Sequence, residues 1–149
     1  MDLPAGIGYL SGRTPFPEPT MSAAHDKPYA DVIAALETYF DGLYESDTAR
    51  LRCVFHPLAH YTCATEKPIL HMNMADYFAL VDKRPSPKSR NEARRDRILS
   101  VEFAGPDAAF ARVECAIGQR FCTDLLTFVR VDGRWLIMAK VFHYELMEE

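Results

Sequence analysis

The chain predicts an α+β domain: a curved, mostly antiparallel sheet wrapped around about three N-terminal helices. From Val32 to Val81 apolar residues recur largely at helical spacing, whereas from Arg97 to Tyr144 they alternate along four consecutive segments. Helices followed by a meander of strands is an α+β order, since a parallel sheet would alternate strand with helix. The last two segments meet at Asp132-Gly133, a dipeptide that accepts the positive φ a two-residue hairpin turn demands.

Pro28 suits the first turn of the opening helix, with Asp26 as its cap. Val32, Ile33, Leu36, Tyr39, Phe40 and Leu43 form its buried stripe, and Gly42 marks a weak point near its end. Asp47 caps a short second helix, Thr48 to Val54. Pro57 stops further helix and pushes His56 towards extended backbone, and Leu58 to Thr65 fits a short strand. Asn73 caps a third helix, Met74 to Lys83, with Tyr77, Phe78, Leu80 and Val81 on its buried side. After a Pro- and Arg-rich loop at 84–95 come strands Arg97 to Ala104, Ala108 to Gly118, Phe121 to Val131 and Arg134 to Tyr144. Residues 1–27 hold Pro4, Pro15, Pro17 and Pro19 without a helical or strand period. They read as a poorly ordered extension ahead of a single domain at 28–149, with Met21-Ser22 a candidate natural start. An arm packing on a partner subunit through Tyr9, Leu10 and Phe16 is the competing reading.

Pairing Val131 with Arg134 sets the register of the final hairpin, because side chains alternate faces along each strand. One face then carries Cys122, Asp124, Leu126, Phe128, Trp135, Ile137, Ala139, Val141 and His143. The other carries Thr123, Leu125, Thr127, Val129, Leu136, Met138, Lys140 and Phe142. On the first face His143 lies opposite Cys122 and diagonal to Asp124, at roughly 7–8 Å between Cα atoms. An acid and a histidine on an otherwise apolar face point to a pocket. The second face also holds more apolar residues than water would leave bare. A helix layer covers one side only, so a homodimer through the outer sheet face is expected, with coverage by the N-terminal arm as the alternative.

The composition, 48% hydrophobic and 26% charged, is that of an ordinary globular chain. A net charge of −4 argues against a nucleic-acid surface, and the basic stretch Lys83 to Arg97 lacks the aromatic interleaving that base stacking uses. Cys53, Cys63, Cys115 and Cys122 show no paired spacing, which argues against a zinc knuckle or a disulfide framework. No apolar run approaches the ~20 residues of a membrane span, and the first residues lack a signal pattern. A cytoplasmic protein that meets no membrane is the expectation.

Tyr39-Phe40-Asp41-Gly42-Leu43-Tyr44, then Phe55-His56-Pro57 with Ala59, then Asp132 to Ile137 and Ala139 to His143 occur in that order. In this order they resemble the bacterial "putative lumazine-binding" family of the nuclear transport factor 2-like (cystatin-like) fold. The resemblance covers roughly residues 29–144. It implies a cone with an internal cavity, a fold shared by ketosteroid isomerases, scytalone dehydratase-like enzymes, polyketide cyclases and pure binding or scaffolding proteins. Fold therefore does not decide function. No Gly-rich turn precedes a helix here, and no arginine pair marks a flavin-phosphate site.

Asp124 is the first candidate catalytic residue, because an acid in an inner strand loses hydration unless a partner or ligand is present. It suits a general base, and a purely structural acid is the alternative. His143 would orient Asp124 or shuttle a proton, unless it lies solvated at a rim. His56 reads as a turn lock, and Lys140, by this register, as an interface or surface residue. Tyr39, Phe40, Tyr77 and Phe78 have the spacing of helix core; in a cone they would wall the ligand cavity with Phe128 and Trp135. No HxH, HExxH or DxDxDG spacing implies a metal, no elbow motif implies a nucleophile, and no cofactor is expected. The reading is a small-molecule-binding protein whose apolar cavity carries an acid/His pair and takes a small apolar or aromatic molecule. The alternatives are an isomerase-, dehydratase- or cyclase-like enzyme using Asp124 as base with His143, and a dimeric interaction scaffold.

Overall fold

In the computed structural model the described residues are 23–148, with side chains from Asp26 onward. Helix α1 (Ala23–Glu45) runs through Pro28, which removes a single backbone bond near the helix start. Residues 23–27 of the expected extension are thus helical; its remainder, Met21 and the Tyr9–Phe16 arm lie outside the described residues. Helix α2 (Thr48–Val54) is capped by Asp47, whose carboxylate accepts from Arg50 N at 3.2 Å. Gly42 permits the close approach of α1 to α2: a Cβ there would stand 2.7 Å from Leu51 Cδ2. Helix α3 (Met74–Lys83) is capped by Asn73, which accepts from Asp76 N at 2.9 Å.

Strand β1 (Phe55–Cys63) begins directly after α2, earlier than the expected Leu58. His56 Nδ1 accepts from Leu58 N at 3.0 Å and locks the Pro57 step, in keeping with a structural role. A strand absent from the sequence reading, β2 (Leu70–Asn73), pairs antiparallel with β1. It is only four residues long, too short for a periodicity to show. Strands β3 (Arg97–Ala104), β4 (Ala108–Ile117), β5 (Arg120–Val131) and β6 (Arg134–Leu146) form the meander. The sheet order is β2-β1-β6-β5-β4-β3, with β1 parallel to β6 and every other pair antiparallel. Asp132 and Gly133 take φ of 52° and 77°, and Val131 pairs with Arg134 as the turn chemistry requires. The helices cover one face, where Leu36, Tyr39, Tyr77, Val113, Leu126, Phe128 and Ile137 meet in one core. No helix among the described residues is long and apolar enough to cross a membrane.

The register expected from the turn holds only as far as Phe128. Phe128 pairs with Ile137, but Thr127 pairs with Ala139, so Met138 has no partner. One unpaired residue reverses the alternation of everything beyond it. Lys140 and Phe142 therefore turn inward with Leu126 and Asp124, while Val141 and His143 turn outward with Leu125 and Thr123.

The basic loop is tied down by acids: Arg94 bridges Asp41 at 3.0 Å and Asp96 at 2.6 Å, and Glu92 accepts from Gly118 N at 2.9 Å. Arg84, at the start of this loop, differs from its neighbours in that its Nε and Nη2 are buried.

Candidate functional site

Asp124 and Lys140 are the buried charged side chains of the described residues, at 0% and 4% exposure. Adjacent strands β5 and β6 bring them together, and Lys140 Nζ stands 3.8 Å from Asp124 Oδ2. The same oxygen accepts from Tyr39 OH at 2.5 Å, reaching down from the buried stripe of α1. Cys115 Sγ, from β4, donates to it at 3.7 Å. Asp124 Oδ1 is buried without a hydrogen-bond partner, and so is the Tyr77 hydroxyl from α3. Three donors crowd one carboxylate oxygen while the other is left bare, the reverse of what a closed structural ion pair needs.

Aromatic rings surround the ammonium. Its nitrogen lies 5.2 Å from the centroids of Tyr39 and Tyr61, 5.7 Å from Tyr77 and 5.0 Å from Phe142. Tyr61 and Tyr77 stack at 4.5 Å, so the cage is itself packed. Ring quadrupoles at these distances replace part of the hydration a buried ammonium loses. Burial alone would lower the pKa of Lys140; Asp124 in particular outweighs that, and the group is held above its ordinary value. Lys140 is accordingly a fixed cation, poorly suited to act as a neutral amine nucleophile. Burial first, then the charge of Asp124, pushes Tyr39 well above the ordinary tyrosine value. Tyr61 is raised to about 12, by burial before all else, with Lys140 and Arg84 opposing. Cys115 is raised well above its ordinary value by its hydrogen bond with Cys122, by burial and by Asp124. These hydroxyls and the Cys115 thiol therefore serve as proton donors at neutral pH.

Cys115 Sγ, Cys122 Sγ and a carboxylate oxygen of Asp124 all lie within 4.8 Å of one another, a possible metal donor set. The Lys140 ammonium beside that carboxylate opposes a second cation in the same place.

Of the expected site residues, Tyr39, Tyr77 and Asp124 meet. Phe40 packs on the Tyr39 ring at 5.7 Å, and Phe78 sits between Phe55 and Arg52. Phe128 is wholly buried, and Trp135 closes one end of the inner face against Phe103 at 5.6 Å. His143 does not join Asp124. Its side chain is 61% exposed on the outer face, with Nδ1 2.7 Å from Thr65 Oγ1 and Nε2 3.7 Å from Glu145. The acid's partner is Lys140, assigned to the outer surface by unbroken alternation. Tyr61, Phe142, Cys115 and Arg84 were also missed. The available signal was the unbroken apolar run Trp135 to Ala139, which no alternating strand should show and which a bulge accommodates.

Two hollows open at the surface. One of about 450 Å³ lies beside the end of α3, lined by Met72, Asp76, Ala79, Leu80, Lys83 and Arg84. The other, about 700 Å³, lies on the outer sheet face among Thr65, Arg112, Leu125, Val141 and His143.

An open sheet curled over three helices in this strand order defines a protein of the nuclear transport factor 2-like class. Solved structures bear out the fold. A nuclear transport factor 2-like protein of unknown function from Silicibacter pomeroyi superposes with a TM-score of 0.73 at 23% identity, covering 80% of this chain and 98% of its own. A ketosteroid isomerase-like protein from Erwinia carotovora atroseptica does so with a TM-score of 0.61 at 12% identity, covering 77% and 94%. The chain belongs to the family described as "Putative lumazine-binding", whose model matches residues 27–143. It is also 25% identical over 117 residues to Aldolase FrzH of Cladobotryum sp, a match spanning 77% of this chain and 90% of that one.

Proposed function

We propose that this protein binds a small organic molecule bearing a polarised oxygen, against Asp124, Lys140 and Tyr77 beneath the helices. A single observation carries this reading: a wholly buried carboxylate and an unpaired Tyr77 hydroxyl share one cluster of rings with a caged ammonium, and Asp124 Oδ1 has no partner. Orphaned polar atoms in a packed interior are costly, roughly 1–3 kcal/mol each, and a ligand that meets them recovers that cost. The acid/His pair of the sequence reading becomes an acid/Lys pair. Nitrogen-15 spectra titrated with small aromatic carbonyl compounds, lumazine among them, test the reading. Amide signals of Tyr61, Asp124 and residue 140 should move for wild type and stay still for Lys140→Met. Movement confined to Val141 and His143 on the outer face sinks it.

A second reading is favoured by the similarity to an aldolase over 90% of that relative's length. Aldol chemistry needs a base for an acidic C–H and a positive group at the enolate oxygen that forms. Asp124 would take the proton, and the Lys140 ammonium with the Tyr77 hydroxyl would hold the oxygen. Deuterium uptake at the α-carbon of a bound ketone, lost in Asp124→Asn, tests it; equal uptake in both proteins removes Asp124 from the chemistry.

A homodimer through the outer sheet face remains our proposal for the partner. It is supported by Val141, an apolar side chain 43% exposed across from Leu125 beside the larger hollow.

A further inference from the structure

Arg84 is the residue after α3, and its backbone N–H closes that helix by donating to Val81 O at 3.3 Å. Its side chain turns inward, and both Nε and Nη2 are buried without a hydrogen-bond partner. A guanidinium cannot escape this by shedding its proton, as a buried lysine or acid can. The charge of Arg84 is felt at the Tyr61 hydroxyl, alongside that of Lys140. Both cations therefore lower the Tyr61 value, and Asp124 is the buried acid among the described residues. Neither orphaned nitrogen of Arg84 meets an acid.

The two orphaned atoms specify the shape of what is missing. Nε–H and Nη2–H point the same way from one edge of the guanidinium, the edge that receives both oxygens of a carboxylate side-on. Elsewhere in this chain Arg94 offers the same pair of atoms to Asp96. Arg84 forms part of the wall of the smaller hollow, together with Asp76 and Lys83. A carboxylate offers that edge two oxygens in one plane and answers the single charge of the guanidinium.

We infer that the ligand of this site carries a carboxylate, gripped side-on by Nε and Nη2 of Arg84, with its carbonyl and apolar body towards Lys140 and the tyrosine rings. The ligand class is an aromatic or branched oxo acid. This assignment rests on the small-molecule reading above and narrows it.

The experiment is calorimetric titration of wild type and Arg84→Met with phenylpyruvate, its uncharged methyl ester and inorganic phosphate, with melting curves of both proteins alone. Wild type should bind the acid at least about tenfold tighter than the ester, the size of a charge-assisted pair. Arg84→Met should lose that preference, keep the ester's affinity and melt no lower than wild type. Equal affinity for acid and ester in wild type, or an unchanged acid affinity in Arg84→Met, overturns the inference while leaving the small-molecule reading standing. Phosphate displacing the acid at similar concentration overturns the carboxylate assignment. A lower melting temperature for Arg84→Met makes the residue structural and also overturns it. Failure of both organic probes to bind removes this inference and the binding reading together.

Discussion

Lys140 Nζ stands 3.8 Å from Asp124 Oδ2 because Met138 has no partner on β5. Without that bulge the strand would keep its alternation and deliver Val141 and His143 to the acid instead. The ion pair is thus a product of strand geometry two residues away.

Breaking the pair should destabilise more than removing it. Lys140→Met leaves a carboxylate at 0% exposure without its counter-charge, and Asp124→Asn leaves the ammonium in its ring cage unanswered. Each single change should cost about 3–5 kcal/mol, with the double change less costly than the sum. Urea unfolding of the four proteins gives the coupling energy, and additivity would mean the two charges do not interact.

His143 offers the contrasting case. Its ring is exposed and its main tie is to Thr65, so His143→Ala should change stability by no more than about 0.5 kcal/mol. It should also leave binding at Asp124 unaltered. A lost ligand response in His143→Ala, read by the same titration as for Lys140→Met, would restore the histidine to the site.

Much of this fold could be read along the chain, for physical reasons that also explain the failures. Caps at Asp47 and Asn73 and the Asp132-Gly133 turn are local, each determined by a few adjacent residues. Asp124, Tyr39 and Tyr77 were legible because an acid in an apolar strand and aromatics at helical spacing are visible without partners. Lys140, Tyr61 and Arg84 were not. Their orientation depends on a bulge, on a parallel pairing between β1 and β6, and on the way α3 ends, none of which a period encodes. The five-residue apolar run at Trp135 was the one trace the bulge left.

Alkaline pH should weaken the fold through this cluster. Tyr61 titrates near 12 in the folded protein against about 10 when unfolded, so above pH 10 the unfolded chain loses a proton that the native state keeps. Stability must then fall as pH rises, by about 2–3 kcal/mol from Tyr61 between those values. Tyr39, also raised, adds in the same direction. Lys140 has a raised folded value as well; its contribution is complete below its unfolded value and declines as pH climbs towards the folded one. All three therefore act together. Chemical denaturation at pH 8, 10 and 11.5 should show a steady loss, and a flat profile would mean these groups are solvated.

Gly42→Ala sets two effects against each other. Alanine in a helix interior is favoured over glycine by about 1 kcal/mol. The added Cβ, however, would stand 2.7 Å from Cδ2 and 2.9 Å from Cγ of Leu51, which is wholly buried and has nowhere to swing. Overpacking of this kind costs about 1–3 kcal/mol, so a net loss is expected. Pairing the change with Leu51→Ala should recover the helix gain, because the colliding atoms are gone. A raised melting temperature for Gly42→Ala alone would mean that α1 and α2 separate freely, and the close packing that positions Tyr39 over Asp124 would lose its support.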